Sequence, residues 1–198
     1  GQAESGCRCW LALQGGITVP EVLGSRSTFL PGAFGGHQGR MLHAGDRMAS
    51  GMFLSQVHMM RVFPPTAVGP LRVVAGPQAR LFDATGLAAL FADQFRITAA
   101  SDRRGLRLAG PRVSYAPADL PSQGVLPGAI QVPPDGQPII LGWDGPVTGG
   151  YPVIAGVISA DWPRLAQLRP GDTVSFVTIE LARARELASN TWRIEALA

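Results

Sequence analysis

Apolar positions in this chain come in short bursts, cut repeatedly by glycine and proline. Leu71 to Ala75, Phe95 to Ala99 and Leu106 to Leu108 alternate with a period of two, which turns one face of a strand toward a core. Ala129 to Val132 and Pro138 to Leu141 are β-branched runs on either side of Pro-Pro-Asp-Gly. Pro134 presets the φ of a turn, Asp135 supplies a side-chain acceptor and Gly136 tolerates positive φ, so a hairpin is predicted. A third apolar strand follows Tyr151-Pro152. Cys7 to Leu13, Thr173 to Ile179 and Thr191 to Leu197 read as further strands.

Helical spacing is rarer. Leu87, Leu90 and Phe91 fall at i, i+3 and i+4 within Phe82 to Phe91, and Asp83 is placed to cap that helix. Asp161 to Leu168 carries a second helix signal, with Asp161 as cap and Pro163 in the first turn. Glu180 to Ala188 reads as a terminal amphipathic helix. Short strands, frequent turns and two or three helices predict a mainly β fold, a barrel with helices plugging its ends. Val62-Phe63-Pro64-Pro65-Thr66, with Gly69-Pro70 beyond it, interrupts regular structure because proline cannot donate to a ladder. The expected division is residues 1–67, the remainder of a β-rich N-terminal domain, and residues 68–198, the barrel.

Composition narrows the chemistry. The 198 residues suffice for a real core, and no apolar run approaches a membrane span. No basic head precedes an apolar stretch at the start, so no secretory signal is expected, and the chain reads as beginning partway through a longer protein. All 17 basic residues are arginine, which excludes lysine Schiff bases and a P-loop lysine from this chain. A net charge of +3, from scattered arginines without interleaved aromatics, argues for separate anion contacts or a solvated surface over a nucleic-acid face. Cys7 and Cys9 are too close for an unstrained disulfide, and no histidine spacing suits a metal. A reduced, cytoplasmic setting is expected.

The loops hold the candidate chemistry. After the hairpin comes Asp144, then Thr148-Gly149-Gly150, where glycines let backbone approach a ligand closely. Leu23 to Thr28 gathers hydroxyls, Ser27 among them, around Arg26. Guanidinium and hydroxyl donors converge on anions, and a capped turn before Phe29 is the competing reading. Pro31 to Arg40 is too glycine-rich for helix; His37 and Arg40 are either contacts or exposed. Leu42 to Met48 carries a Gly-Asp turn corner.

Several stretches together resemble one family: Leu11 to Thr28, Gly76-Pro77-Gln78, Ser101 to Leu108, Gly128 to Leu141, Thr148 to Pro152, Ile158 to Asp161 and Leu165 to Asp172. The chain resembles the C-type subunits of bacterial 5-oxoprolinase, also called the biotin-dependent carboxyltransferase family or the second allophanate hydrolase subunit. Relatives include the carboxyltransferase region of urea carboxylase and the antagonist of a sporulation-kinase inhibitor. The likeness runs in order along essentially the whole chain. It implies a cyclophilin-like β-barrel in the second part. It also implies a B-type partner subunit which, with an A-type subunit, opens 5-oxoproline to glutamate using ATP. Two departures stand out: the family's region before the Gly-Gly-Ile segment, with a Thr-Val-Gln-Asp stretch, is absent, and Val147-Thr148 stands where two threonines are usual.

A small amide-like substrate carried through a phosphate or carboxyl derivative needs cationic donors, a carboxylate for amide N–H groups and donors facing an oxyanion. Arg26, Arg103 and Arg107 are the candidates for the first, Asp144 for the second, and the amides of Thr148, Gly149 and Gly150 for the third. Ser27, Gln131 and Tyr151 complete the candidate substrate- and anion-binding set, with packing the competing reading for Tyr151. Arg103 and Arg107 have a purely structural alternative, pairing with Asp102 or Glu180. No covalent nucleophile is specified. Three functions compete: an ATP-dependent 5-oxoprolinase subunit, a carboxyltransferase lobe taking carboxybiotin from a separate carrier, and a non-catalytic regulator binding a kinase-inhibitor partner.

Overall fold

The structure, a computed structural model, describes residues 6–8, 11–52, 60–63, 69–92, 94–116, 119–189 and 193–196. Backbone contacts divide the chain into two units, residues 9–59 and residues 60–198 joined by 1–8. The expected boundary at 67–68 lies outside the described residues.

The smaller unit has little regular structure: β1 (Ile17–Thr18) and β2 (Ala49–Ser50) pair antiparallel, and a 3-10 turn spans Leu30–Gly32. Polar contacts fix its turns. Arg40 donates both Nη atoms to the two carboxylate oxygens of Asp46 at 2.8 Å, and the His43 N–H donates to Asp46 Oδ2 at 2.7 Å. Arg40, read from sequence as a contact or an exposed residue, is instead the clamp of this turn. Its hydrogen bonds and those from His43 hold the Asp46 carboxyl far below the usual carboxylate range.

The larger unit begins with β3 (Met60–Phe63) and β4 (Leu71–Ala75). Helix α1 (Ala84–Ala92) follows as the spacing predicts, and Asp83 Oδ1 accepts the Gly86 N–H at 2.8 Å. Next are β5 (Phe95–Ile97), β6 (Gly105–Ala109), β7 (Gln123–Gly124) and the predicted hairpin, β8 (Ala129–Gln131) with β9 (Ile139–Leu141). Gly136 takes φ +76° in its turn and donates to Pro133 O. Then come β10 (Thr148–Gly149), β11 (Val153–Val157), α2 (Trp162–Leu165), β12 (Thr173–Val174), β13 (Phe176–Thr178), α3 (Leu181–Ser189) and β14 (Arg193–Ala196), which pairs with β3.

Eight strands form one sheet in the order β12-β5-β6-β9-β8-β11-β4-β13. Its two edge strands, β12 and β13, are separated in sequence by Ser175 alone. One residue spans under about 4 Å, so the edges must meet and the sheet curls into a nearly closed barrel. The Leu71 N–H donates to Ser175 O at 2.7 Å at that seam. Leu71, Val73, Phe95, Ile97, Ile130, Ile140 and Ile154 fill the interior with almost no exposure, and the Phe95 and Phe176 rings pack at 6.1 Å.

Two expectations are corrected. Residues 7, 8 and 11–13 are not in a strand, and 9–10 lie outside the described residues. Asp161 makes no cap bond for α2. It is fully buried, and its carboxylate accepts the Arg72 backbone N–H at 2.7 Å and the Arg72 guanidinium through Nε and Nη2. A buried carboxylate needs such a partner to offset its lost hydration, and the Asp161 bonds raise the Arg72 pKa further. Arg164 lies nearby, its pKa lowered by burial, and donates to the carbonyls of Gly69 and Pro70.

Candidate functional site

Two loops of the barrel meet at Asp144. In the β5–β6 connection, Asp102 and Gly105 exchange backbone bonds at 3.2 Å, and Asp102 accepts the Arg104 N–H at 2.8 Å and its Nε at 2.9 Å. Those bonds hold the Asp102 carboxyl below its ordinary range, and turn Arg104, not Arg103, toward it. Beyond β9, Gly142 donates to Arg104 O at 2.8 Å. A Cβ on Gly142 would stand 2.4 Å from Arg103 O, and one on Gly145 2.8 Å from Arg104 O, so only glycine permits this approach. The approach delivers Arg103 Nε to 3.2 Å from Asp144 Oδ2. Both side chains are about half exposed, at 43% and 52%. Beside them Trp143 is 68% exposed yet held in place, perpendicular to Trp162 at 4.9 Å between ring centroids. Trp162 is anchored by its own Nε1–H to Val157 O.

The chain then arches back along the barrel. Val125 donates to Val147 O at 2.9 Å, and β10 pairs with β7, placing Gly149 opposite Gln123 and Thr148 opposite Gly124. Gly149 lies against the buried Gln131, whose Nε2 would be 2.7 Å from a Cβ on Gly149. Gln131 donates to Tyr151 O at 3.4 Å. Thr148, Gly150 and Tyr151 are exposed.

The expected residues therefore fall into groups. Arg103 and Asp144 form one, and Gly149, Gln131 and Tyr151 form another at the far end of the same loop. Arg107 is exposed on β6 opposite Ile139, with its N–H donated to Ser101 Oγ at 2.9 Å. Arg26 and Ser27 belong to the smaller unit. There they line an open cavity of about 890 Å³ together with Thr28, His37, Leu42 and Met48. Arg26 donates to Val19 O at 3.3 Å and stands 3.6 Å from Glu21. Two glutamines that sequence reasoning did not single out, Gln78 and Gln123, join the second group: Gln78 Nε2 donates to Gln123 Oε1 at 2.9 Å and Gln78 Oε1 accepts the Val153 N–H at 3.0 Å. Their one signal was Gln78 in the Gly76-Pro77-Gln78 stretch. Among the described residues no group of three His, Cys, Asp or Glu side chains is placed to hold a metal ion, and no helix is long and apolar enough to cross a membrane.

This geometry offers a carboxylate for amide N–H groups, a guanidinium for an anionic group and an exposed aromatic face beside them, all on loops carried by a rigid barrel. Comparison with known proteins gives it a context. The family model of the carboxyltransferase domain, subdomain A and B, matches residues 1–178. The C-type subunit of 5-oxoprolinase from Escherichia coli is 38% identical over 91% of this chain and 59% of its own length. Its Haemophilus influenzae namesake is 35% identical over 94% and 60% respectively. The solved structure of the Kluyveromyces lactis urea carboxylase superposes with a TM-score of 0.79 at 32% identity, covering 96% of this chain and 19% of that one. The chain thus spans about three-fifths of the length of the bacterial relatives it matches. On the strength of the match to residues 1–178, the chain belongs to the carboxyltransferase domain family, subdomains A and B.

Proposed function

We propose that this chain is part of a C-type subunit of an ATP-dependent 5-oxoprolinase, which opens 5-oxoproline to glutamate in complex with A-type and B-type partner subunits. The observation that carries this reading is the 38% identity, over 91% of the chain, to the Escherichia coli protein of that name. The barrel loops supply matching chemistry. Opening a lactam moves charge onto the carbonyl oxygen while the ring nitrogen departs, so the site must bind an amide N–H, a carboxylate and a developing oxyanion. Asp144 accepts the lactam N–H in this reading. Arg103, already 3.2 Å from Asp144, holds the substrate carboxylate or a phosphoryl oxygen from ATP. In this reading the exposed Thr148 and Gly150, at the far end of the same loop, offer backbone donors toward the oxygen, while Gly149 is paired with Gln123 across the β7–β10 ribbon. Arg26 and Ser27 give the smaller unit an anion contact of its own, and Arg107 is an outer cationic contact. ATP acts at the level of the assembly.

The test is reconstitution with the full-length chain. ATP-dependent glutamate release is expected only when all three subunits are mixed. A complete complex that releases none contradicts the reading. The likeness to urea carboxylase, with its TM-score of 0.79, supports a second one, a carboxyltransferase lobe that takes a carboxyl group from biotin on a separate carrier. Capture of a biotinylated protein by the full-length chain is expected under that reading, and its absence would reject it.

A further inference from the structure

The glutamines beneath the Thr148 loop bear on substrate binding. A backbone N–H can only donate, so the Val153 N–H fixes which end of the Gln78 carboxamide faces it, the carbonyl Oε1, at 3.0 Å. The Gln78 amide nitrogen must then point the other way, and it donates to Gln123 Oε1 at 2.9 Å. The two assignments follow from one another: turning either carboxamide over would set two donors, or a donor and an N–H, face to face. The chain of bonds therefore ends on the Gln123 amide nitrogen. That atom is buried and has no hydrogen-bond partner among the described residues. Native proteins rarely leave a buried donor unused.

The surroundings give the missing partner a character. Gln123 is the cross-strand neighbour of Gly149, and cross-strand neighbours project to the same face of a ladder. The Cβ direction of Gly149 points at Gln131 Nε2, 2.7 Å away, so Gln123 and Gln131 lie on one side of the β7–β10 ribbon. Both present amide nitrogens there, and Gln131 spends one proton on a long bond of 3.4 Å to Tyr151 O. The ribbon above them is only two residues long in each strand, next to the exposed Gly150 and Tyr151.

We infer that Gln123, oriented by Gln78 and Val153, is a substrate-binding residue whose amide N–H donates to a carbonyl or carboxylate oxygen of a small amide ligand admitted under the β7–β10 ribbon. The choice of a small amide rests on the proposed 5-oxoprolinase reading; the need for an oxygen acceptor rests on the relay itself. A resident water is the competing occupant.

Calorimetric titration of 5-oxoproline into the assembled complex, beside a separate assay of glutamate release, tests this. Gln123→Glu keeps the acceptor for Gln78 but replaces the donor with an oxygen. It is expected to weaken 5-oxoproline binding at least 10-fold. Gln78→Glu keeps the bond from Val153 but frees Gln123 to turn, and is expected to weaken binding in the same direction by a smaller factor. If Gln123→Glu does not fold, Gln123→Met and Gln78→Glu give the same reading. Binding that is equal in wild type and variants, or absent from wild type, overturns the inference and leaves water as the occupant. Loss of binding in the variants, in a wild-type complex that binds 5-oxoproline but releases no glutamate, supports the inference while contradicting the proposed activity.

Discussion

The two units of this chain are held together by different forces. In the barrel, apolar side chains from every central strand are buried to within a few per cent, and the fully buried charge of Asp161 is matched by Arg72. In residues 9–59 the Leu, Ile, Phe and Met side chains that can be described, among them Leu11, Leu23, Phe29, Phe34 and Met41, are exposed. Order there comes from turns and from the Arg40–Asp46 clamp, which hold even Leu23, Ala33 and Gln38 at the positive φ that non-glycine residues disfavour. Burial specifies one unit and local polar geometry the other. Substitutions in the two should therefore behave differently.

The largest effects are expected in the barrel. Phe95→Ala empties a site with no exposure and should cost about 3–5 kcal/mol in denaturant unfolding. Asp161→Ala leaves the Arg72 guanidinium and backbone N–H without their acceptor and should cost about 3–5 kcal/mol by the same measurement. A loss below about 1 kcal/mol in either would mean that the barrel does not depend on its interior as described. Phe29→Ala, in the smaller unit, removes a side chain that is 48% exposed and one half of a ring pair at 5.3 Å, and should cost under about 1 kcal/mol. A larger cost would erase the contrast between the units.

The clamp sharpens the comparison through pH. Because the folded-state pKa of Asp46 is depressed, its stabilising contribution is complete above the unfolded carboxylate value of about 3.9. It declines as pH falls below that value and is gone once pH passes the folded value, in strong acid. Asp46→Asn should remove this acid-dependent slope from the unfolding of residues 9–59 and leave the barrel's own profile unchanged. An unaltered slope, followed by hydrogen exchange of the amides in 39–46, would count against the clamp.

How much of this was legible in the sequence depended on distance along the chain. The β8–β9 hairpin was readable because Pro134, Asp135 and Gly136 state the turn within the turn itself. Helix α1 was readable because Asp83 and the Leu87, Leu90, Phe91 stripe are local. Asp161 was misread for the same reason: an acid one residue before a helix resembles a cap, and the Arg72 that claims it lies 89 positions away. The barrel's closure rests on β12 and β13 sitting at opposite edges with Ser175 between them, which no periodicity encodes. Asp144 stood out in the sequence as a lone carboxylate in a glycine-rich loop. Its contact with Arg103 depends on Gly142 and Gly145 admitting another loop's backbone, and the Gln78–Gln123 relay joins segments 45 positions apart. Side-chain types announce what a loop can do, whereas tertiary contacts decide with whom.

The Arg103–Asp144 pair is the sharpest case, because an ion pair this exposed contributes only about 0–1 kcal/mol to stability. If it serves chemistry, its loss should be felt in turnover and hardly at all in folding. Asp144→Asn in the reconstituted three-subunit complex is the direct measurement. A fall of about 100-fold in ATP-dependent glutamate release, with an unchanged thermal midpoint, is the predicted result. Turnover within about threefold of wild type would contradict it.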